Sequence, residues 1–124
     1  MLALAHDIRL MRNDRGFFCL PEIQLGMPFT AGMAGLVQAR LSSAVAHSAM
    51  TTGQRYGGAA ADEADIVNTA LPAEELYDAA LSQAEALAPT AGPNLAAIRT
   101  RMYKEVIARL QQSSNHPHEK KETS

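Results

Sequence analysis

The chain has 124 residues, with 11 Lys and Arg against 13 Asp and Glu, a net charge of −2 and a pI near 6.0. That length allows one domain at most, and the charge balance gives no electrostatic ground for binding nucleic acid or an anionic membrane surface. Cys19 is the only cysteine, so an intramolecular disulfide is excluded.

No secretory signal and no apolar run of membrane-spanning length occurs, and the end Glu122-Thr123-Ser124 is not a peroxisomal address. The expected compartment is therefore reducing and cytoplasmic, with no membrane span. Cys19, among apolar neighbours, reads as a small hydrophobe rather than a reactive thiol.

Met1-Leu2-Ala3-Leu4-Ala5-His6-Asp7 opens as though already inside an apolar helix, without an N-cap or first-turn acid, as a chain starting part-way through a domain would. Ile8 to Arg12 partly alternates apolar and charged residues, the pattern of a strand with one solvated face. Asn13-Asp14-Arg15-Gly16 forms a turn, and Phe17 to Leu20 a short apolar strand. Glu22 then falls within an apolar run that Gly26, Pro28 and Thr30 close. An ionised carboxylate is costly to bury, so Glu22 either points outward to pair with an arginine or sits where a site uses it.

From Ala31 the pattern is helical, and Ala31-Gly32-Met33-Ala34-Gly35 is rich in small residues. Such a stretch permits either tight helix packing or a ligand wall, and Gly26, Thr30, Ala31 and Gly32 are the candidate substrate-binding residues. Ala44 to Met50 continues as a short helix, followed by a loop from Thr51 to Gly58, a short acidic helix from Ala59 to Ala64 and a short strand or extended segment Asp65-Ile66-Val67-Asn68. Pro72 takes the first position of a helix with Glu74 and Glu75 in its first turn and a stripe of Leu76, Ala80, Ala84 and Leu87. Pro93 begins the last helix, with Leu95, Ile98, Met102, Val106 and Leu110 on one side and Arg99, Arg101, Lys104 and Arg109 on the others. That basic set is either a solvated face or a surface for an anionic ligand or partner. The sequence divides into a partial domain over 1–112 and a polar tail over 113–124 expected to be disordered, on which His116 and His118 do not amount to a metal site.

Adjacent residues do not face each other, so His6-Asp7 is no relay, and His47 reads as packing. No nucleophile elbow, phosphate loop or metal-ligand spacing occurs, which leaves Glu22 as the one strong catalytic candidate.

In order, the segments Ala5-His6-Asp7-Ile8-Arg9, Leu20-Pro21-Glu22-Ile23-Gln24-Leu25-Gly26, Ala31-Gly32-Met33-Ala34-Gly35, Thr52-Gly53-Gln54-Arg55-Tyr56 and Asp65-Ile66-Val67-Asn68 resemble the crotonase (enoyl-CoA hydratase/isomerase) superfamily. The resemblance runs from Met1 to about Leu110, matches only the carboxyl-terminal half of that domain, and is nearest to delta-isomerase-like members. It implies an α/β fold, the later part of a ββα spiral, mostly helical with short strands. It also implies an acyl-CoA thioester as substrate with no further cofactor, and homo-oligomeric contacts of trimer type or a complementing fragment.

On this resemblance Glu22 corresponds to the second of the two hydratase glutamates, and the first falls at Met1. One remaining glutamate is the isomerase-like arrangement, because moving a double bond needs a proton shuttle but no activated water. Both amide donors of the family's oxyanion hole align ahead of Met1. The expected function is thus conversion of a 3-enoyl-CoA to the 2-enoyl-CoA in fatty-acid oxidation, weak or lost in this stretch alone. The rivals are a hydratase and a non-catalytic remnant that binds acyl-CoA or joins homologous subunits. Arg40 and Arg55 are candidate phosphate contacts, though each reads better as a surface ion-pair member, and the family's usual glycine before Ile66 is replaced by Asp65.

Overall fold

The computed structural model describes residues 1–115, with side chains through residue 112. The chain begins as a single 3-10 turn, Leu2–Ala5, not as the interior of an α-helix, and buries Leu4 completely. Strand β1 (Leu10–Arg12) follows, and its partner is β2 (Thr69–Leu71). They pair in parallel with Leu10 opposite Thr69, Met11 opposite Ala70 and Arg12 opposite Leu71. The short strand or extended segment expected at Asp65–Asn68 gives way to a strand that starts at Thr69, because Ala64 to Asn68 is spent on the turns that follow α4 (Gly58–Glu63). Asp65 carries that reversal at φ +57°, the left-handed region where Asp is better tolerated than most side chains and where a glycine would rest without strain.

Between the strands lie four helices. Helix α1 (Glu22–Leu25) is a single turn, stopped by Gly26 at φ +69°. Helix α2 (Ala31–Arg40) starts at Thr30, whose hydroxyl accepts from the Met33 amide at 3.2 Å. Ser42 caps α3 (Ser43–Thr52) in the same way, accepting from the Val45 amide at 3.3 Å, and Gly53 ends it in the left-handed region. Such caps satisfy amides that a helix start leaves without a partner. The fourth is α4 (Gly58–Glu63). The segment Phe17–Leu20 is not a strand of its own: it makes one antiparallel bridge, Phe18 to Tyr56, with amide-to-carbonyl distances of 2.8 Å in both directions.

After β2 the chain runs through α5 (Ala73–Leu87), a short 3-10 turn, α6 (Pro93–Met102) and α7 (Lys104–Asn115). Pro72 stands just outside α5 as its N-cap rather than inside it, with Glu74 and Glu75 in the positive first turn as expected. The single last helix read from the stripe is two, broken at half-buried Tyr103 (φ −110°, ψ +22°). Helix α7 continues to Asn115, three residues into the expected tail, and 116–124, with His116 and His118, lie outside the described residues.

Leu4, Leu20, Val37 and Ile66 form the fully buried centre, joined by Ala46, Ala49, Tyr56 and Ala61. Neither α5 nor α6 buries any residue. The α5 stripe stays largely uncovered, with Leu87 exposed and only Leu76 half-buried, and Ile98 and Met102 of α6 are exposed as well. Among the described residues no helix is long and apolar enough to cross a membrane.

Candidate active site around Glu22

Glu22 is the first residue of α1, just after Pro21, whose φ of −83° lets the chain turn into the helix. The short helix is closed by the Met27 amide, which donates to the Glu22 carbonyl at 2.9 Å. Gln24 ties it to α3 by donating Nε2 to the Thr52 carbonyl at 3.3 Å, with Gly53 directly beneath the Gln24 side chain. The Glu22 side chain is half-buried, yet its Oε2 is fully shielded and has no hydrogen-bond partner among the described residues. A shielded carboxylate oxygen without a donor is costly unless a ligand or a proton serves it. Glu22 therefore does not take the outward, arginine-paired alternative.

The four candidate wall residues divide. Gly26, Thr30 and Ala31 are exposed, and Gly26 and Thr30 also do local work as the stop of α1 and the cap of α2. Gly32 is buried: a Cβ there would stand 2.8 Å from both the Cα and the Cδ2 of Leu110, so in this structure it is a seat for α7. Tight helix packing thus accounts for Gly32, while Ala31 beside it stays exposed.

Both residues of His6-Asp7 turn away from each other. The His6 ring is 3.2 Å from the Leu2 carbonyl, and the Asp7 carboxylate pairs with Arg99. His47 is exposed on α3, beside a groove of about 460 Å³ shared with Gln38 and Met50.

Arg40, at the end of α2, acts as a clamp. It donates Nε to the Leu4 carbonyl at 3.0 Å, Nη2 to the carbonyls of His6 at 2.9 Å and Asp7 at 3.4 Å, and Nη1 to the Tyr103 hydroxyl at 2.6 Å. Arg9 reaches the same His6 carbonyl at 3.1 Å and the Ile66 carbonyl at 2.6 Å. Burial holds the Arg9 guanidinium below its ordinary value, the neighbouring Arg40 charge adds to this, and Tyr103 opposes it. Arg55 stacks over Phe17 with its guanidinium carbon 4.5 Å from the ring centre. The link from Arg40 through Tyr103 was not legible in the sequence; its one trace is a tyrosine inside a polar helical run.

A family model described as enoyl-CoA hydratase/isomerase matches residues 1–121. The chain belongs to the enoyl-CoA hydratase/isomerase family. It is 31% identical over 121 residues to enoyl-CoA delta isomerase 3 of Arabidopsis thaliana, covering 94% of this chain and 51% of that protein. Over 98 residues it is 34% identical to carnitinyl-CoA dehydratase of Proteus mirabilis, covering 79% of this chain and 37% of the relative. Among solved structures, a probable enoyl-CoA hydratase from Mycobacterium tuberculosis superposes with a TM-score of 0.81 at 17% identity, over 90% of this chain and 47% of that one. The fold is therefore the crotonase-like α/β fold, mostly helical with one short parallel strand pair. The chain spans about half the length of the curated relatives it matches.

Proposed function

We propose that Glu22 is the general base of an enoyl-thioester double-bond isomerase, taking a proton from C2 of a 3-enoyl-CoA and returning it at C4. The observation that carries this reading is the shielded Oε2 of Glu22, which has no hydrogen-bond partner among the described residues. A carboxylate so placed can hold the migrating proton without a competing donor, and general-base catalysis of this kind contributes about 10²–10⁴-fold in rate. The similarity to the Arabidopsis delta isomerase supports the choice of reaction.

The dienolate oxygen needs stabilisation during the transfer, and one lost oxyanion donor commonly costs about 3 kcal/mol. The resemblance assigns both donors to segments aligned ahead of Met1, so family-level turnover is expected of a molecule that carries those segments as well as Glu22.

The test is Glu22→Gln in such a molecule, read by deuterium exchange at C2 of a 3-enoyl-CoA and by formation of the 2-enoyl product. Both should fall together by at least about 10²-fold. Exchange that survives the substitution would show that another group moves the proton. The similarity to carnitinyl-CoA dehydratase favours a second reading, addition or removal of water, which requires a further acid. Incorporation of solvent oxygen into the product would select it.

A further inference from the structure

A cleft of about 240 Å³ opens between α2, the α6–α7 junction and the amino-terminal turn, and no residue of α1 is among those lining it. Its floor is aliphatic, made by Leu36 of α2 with Val106, Ile107 and Leu110 of α7. Its rim is polar, and the balance of donors and acceptors there is uneven. A guanidinium has five N–H groups. Arg40 donates four of them, Nε, both of Nη2 and one of Nη1, which leaves one on the nitrogen that holds Tyr103. Because the Tyr103 hydroxyl accepts from Arg40, its own O–H is left to donate, and it meets no acceptor among the described residues.

The charge is uneven in the same direction. Arg40 and Arg9 share the His6 carbonyl and bond only to neutral groups among the described residues. The nearby carboxylate, Asp7, is engaged by Arg99. Two convergent donors on a positive rim above an aliphatic floor call for an oxyanion with an apolar tail.

We propose that this cleft binds an aliphatic carboxylate, its head on Tyr103 Oη and Arg40 Nη1 and its chain along Leu36, Val106, Ile107 and Leu110. The head completes the donors that the fold leaves open, and the chain fills space that the α2–α7 contact leaves empty. This site is separate from Glu22 and does not depend on the reaction proposed there.

The test is calorimetric titration of the full 124-residue chain with octanoate and, in parallel, with octanol, which has the same chain length and no charge. Octanoate should bind saturably with one site per chain, and octanol roughly tenfold or more weakly. Tyr103→Phe removes the free O–H while keeping the ring, and should weaken octanoate severalfold without changing octanol. Ile107→Trp, which fills the floor and leaves the Arg40 clamp intact, should abolish both. Glu22→Gln should change neither. Equal affinity for octanoate and octanol, indifference to Tyr103→Phe, or loss of binding in Glu22→Gln would each overturn the proposal.

Discussion

Replacing Gly32 with alanine tests the seat on which α7 rests. The added Cβ would lie 2.8 Å from the Leu110 Cα and 3.0 Å from its backbone nitrogen. That is about 0.6 Å inside ordinary van der Waals contact, and backbone atoms cannot escape by rotating a side chain. Overpacking of this size costs about 1–3 kcal/mol. Alanine returns at most about 0.5 kcal/mol of helix propensity so near the start of α2. The net expectation is a loss of about 0.5–2.5 kcal/mol, with α7 displaced from α2. Gly35 is the internal comparison: it is also buried, lies mid-helix, and its Cβ would meet only the flexible Arg109 side chain at 3.4 Å and 3.5 Å. Gly35→Ala should therefore stabilise by about 0.5–1 kcal/mol. Urea unfolding at constant m reads both. Equal midpoints for Gly32→Ala and wild type, or equal losses for the two substitutions, would refute the described α2–α7 contact.

The isolated 124-residue chain should show turnover far below that of full-length relatives, checked with a 3-enoyl-CoA; near-family rates would mean that Glu22 does not need the amide donors assigned above. Arg40→Met should cost about 2 kcal/mol and speed amide exchange at Leu4 to Asp7 and around Tyr103, while exchange in α3 stays slow. Arg12 hydrogen-bonds Asp14 at 2.7 Å and 3.0 Å and holds its carboxyl below the usual range. A depressed folded value contributes stability above the unfolded value near ~3.9 and loses it as pH falls through the folded value. Asp14→Asn should thus be slightly less stable at neutral pH in low salt and indistinguishable from wild type once the pH has fallen below the folded value of Asp14, a difference that pH-dependent melting would show. The exposed apolar side chains of α1, α5 and α6, among them Ile23, Leu25, Tyr77, Ile98 and Met102, should drive concentration-dependent association in sedimentation experiments. A cooperative melt of dilute monomer would count against this.

Local signals in the sequence were enough wherever one residue decides a backbone state. Gly26 closes the segment that carries Glu22, α2 begins at Ala31 where the pattern turns helical, and the charged turn from Asn13 to Gly16 separates β1 from the Phe17–Leu20 segment. Everything set by a distant partner failed to show locally. Phe17 to Leu20 has strand composition, but its only partner in the ladder is Tyr56, so one bridge forms instead of a strand. Asp65 to Asn68 looks extended, but the left-handed turn at Asp65 just after α4 delays the pairing to Thr69.

The same division explains the candidate site. Glu22 was visible because a carboxylate in an apolar run is anomalous on any fold, and its shielded Oε2 keeps that anomaly in three dimensions. Arg40 was not visible as a clamp, because an arginine at a helix end fits a surface ion pair equally well. Its role arises only when Leu4, His6, Asp7 and Tyr103, up to 63 positions away, are brought to one guanidinium. That clamp joins the start of the chain to the α6–α7 break, and the two residues with an open donor, Arg40 and Tyr103, both line the adjoining cleft. If both donors had internal acceptors the cleft would be only a packing gap, so Tyr103→Phe is decisive: a structural hydroxyl would change stability alone, and a ligand-binding one changes octanoate affinity too.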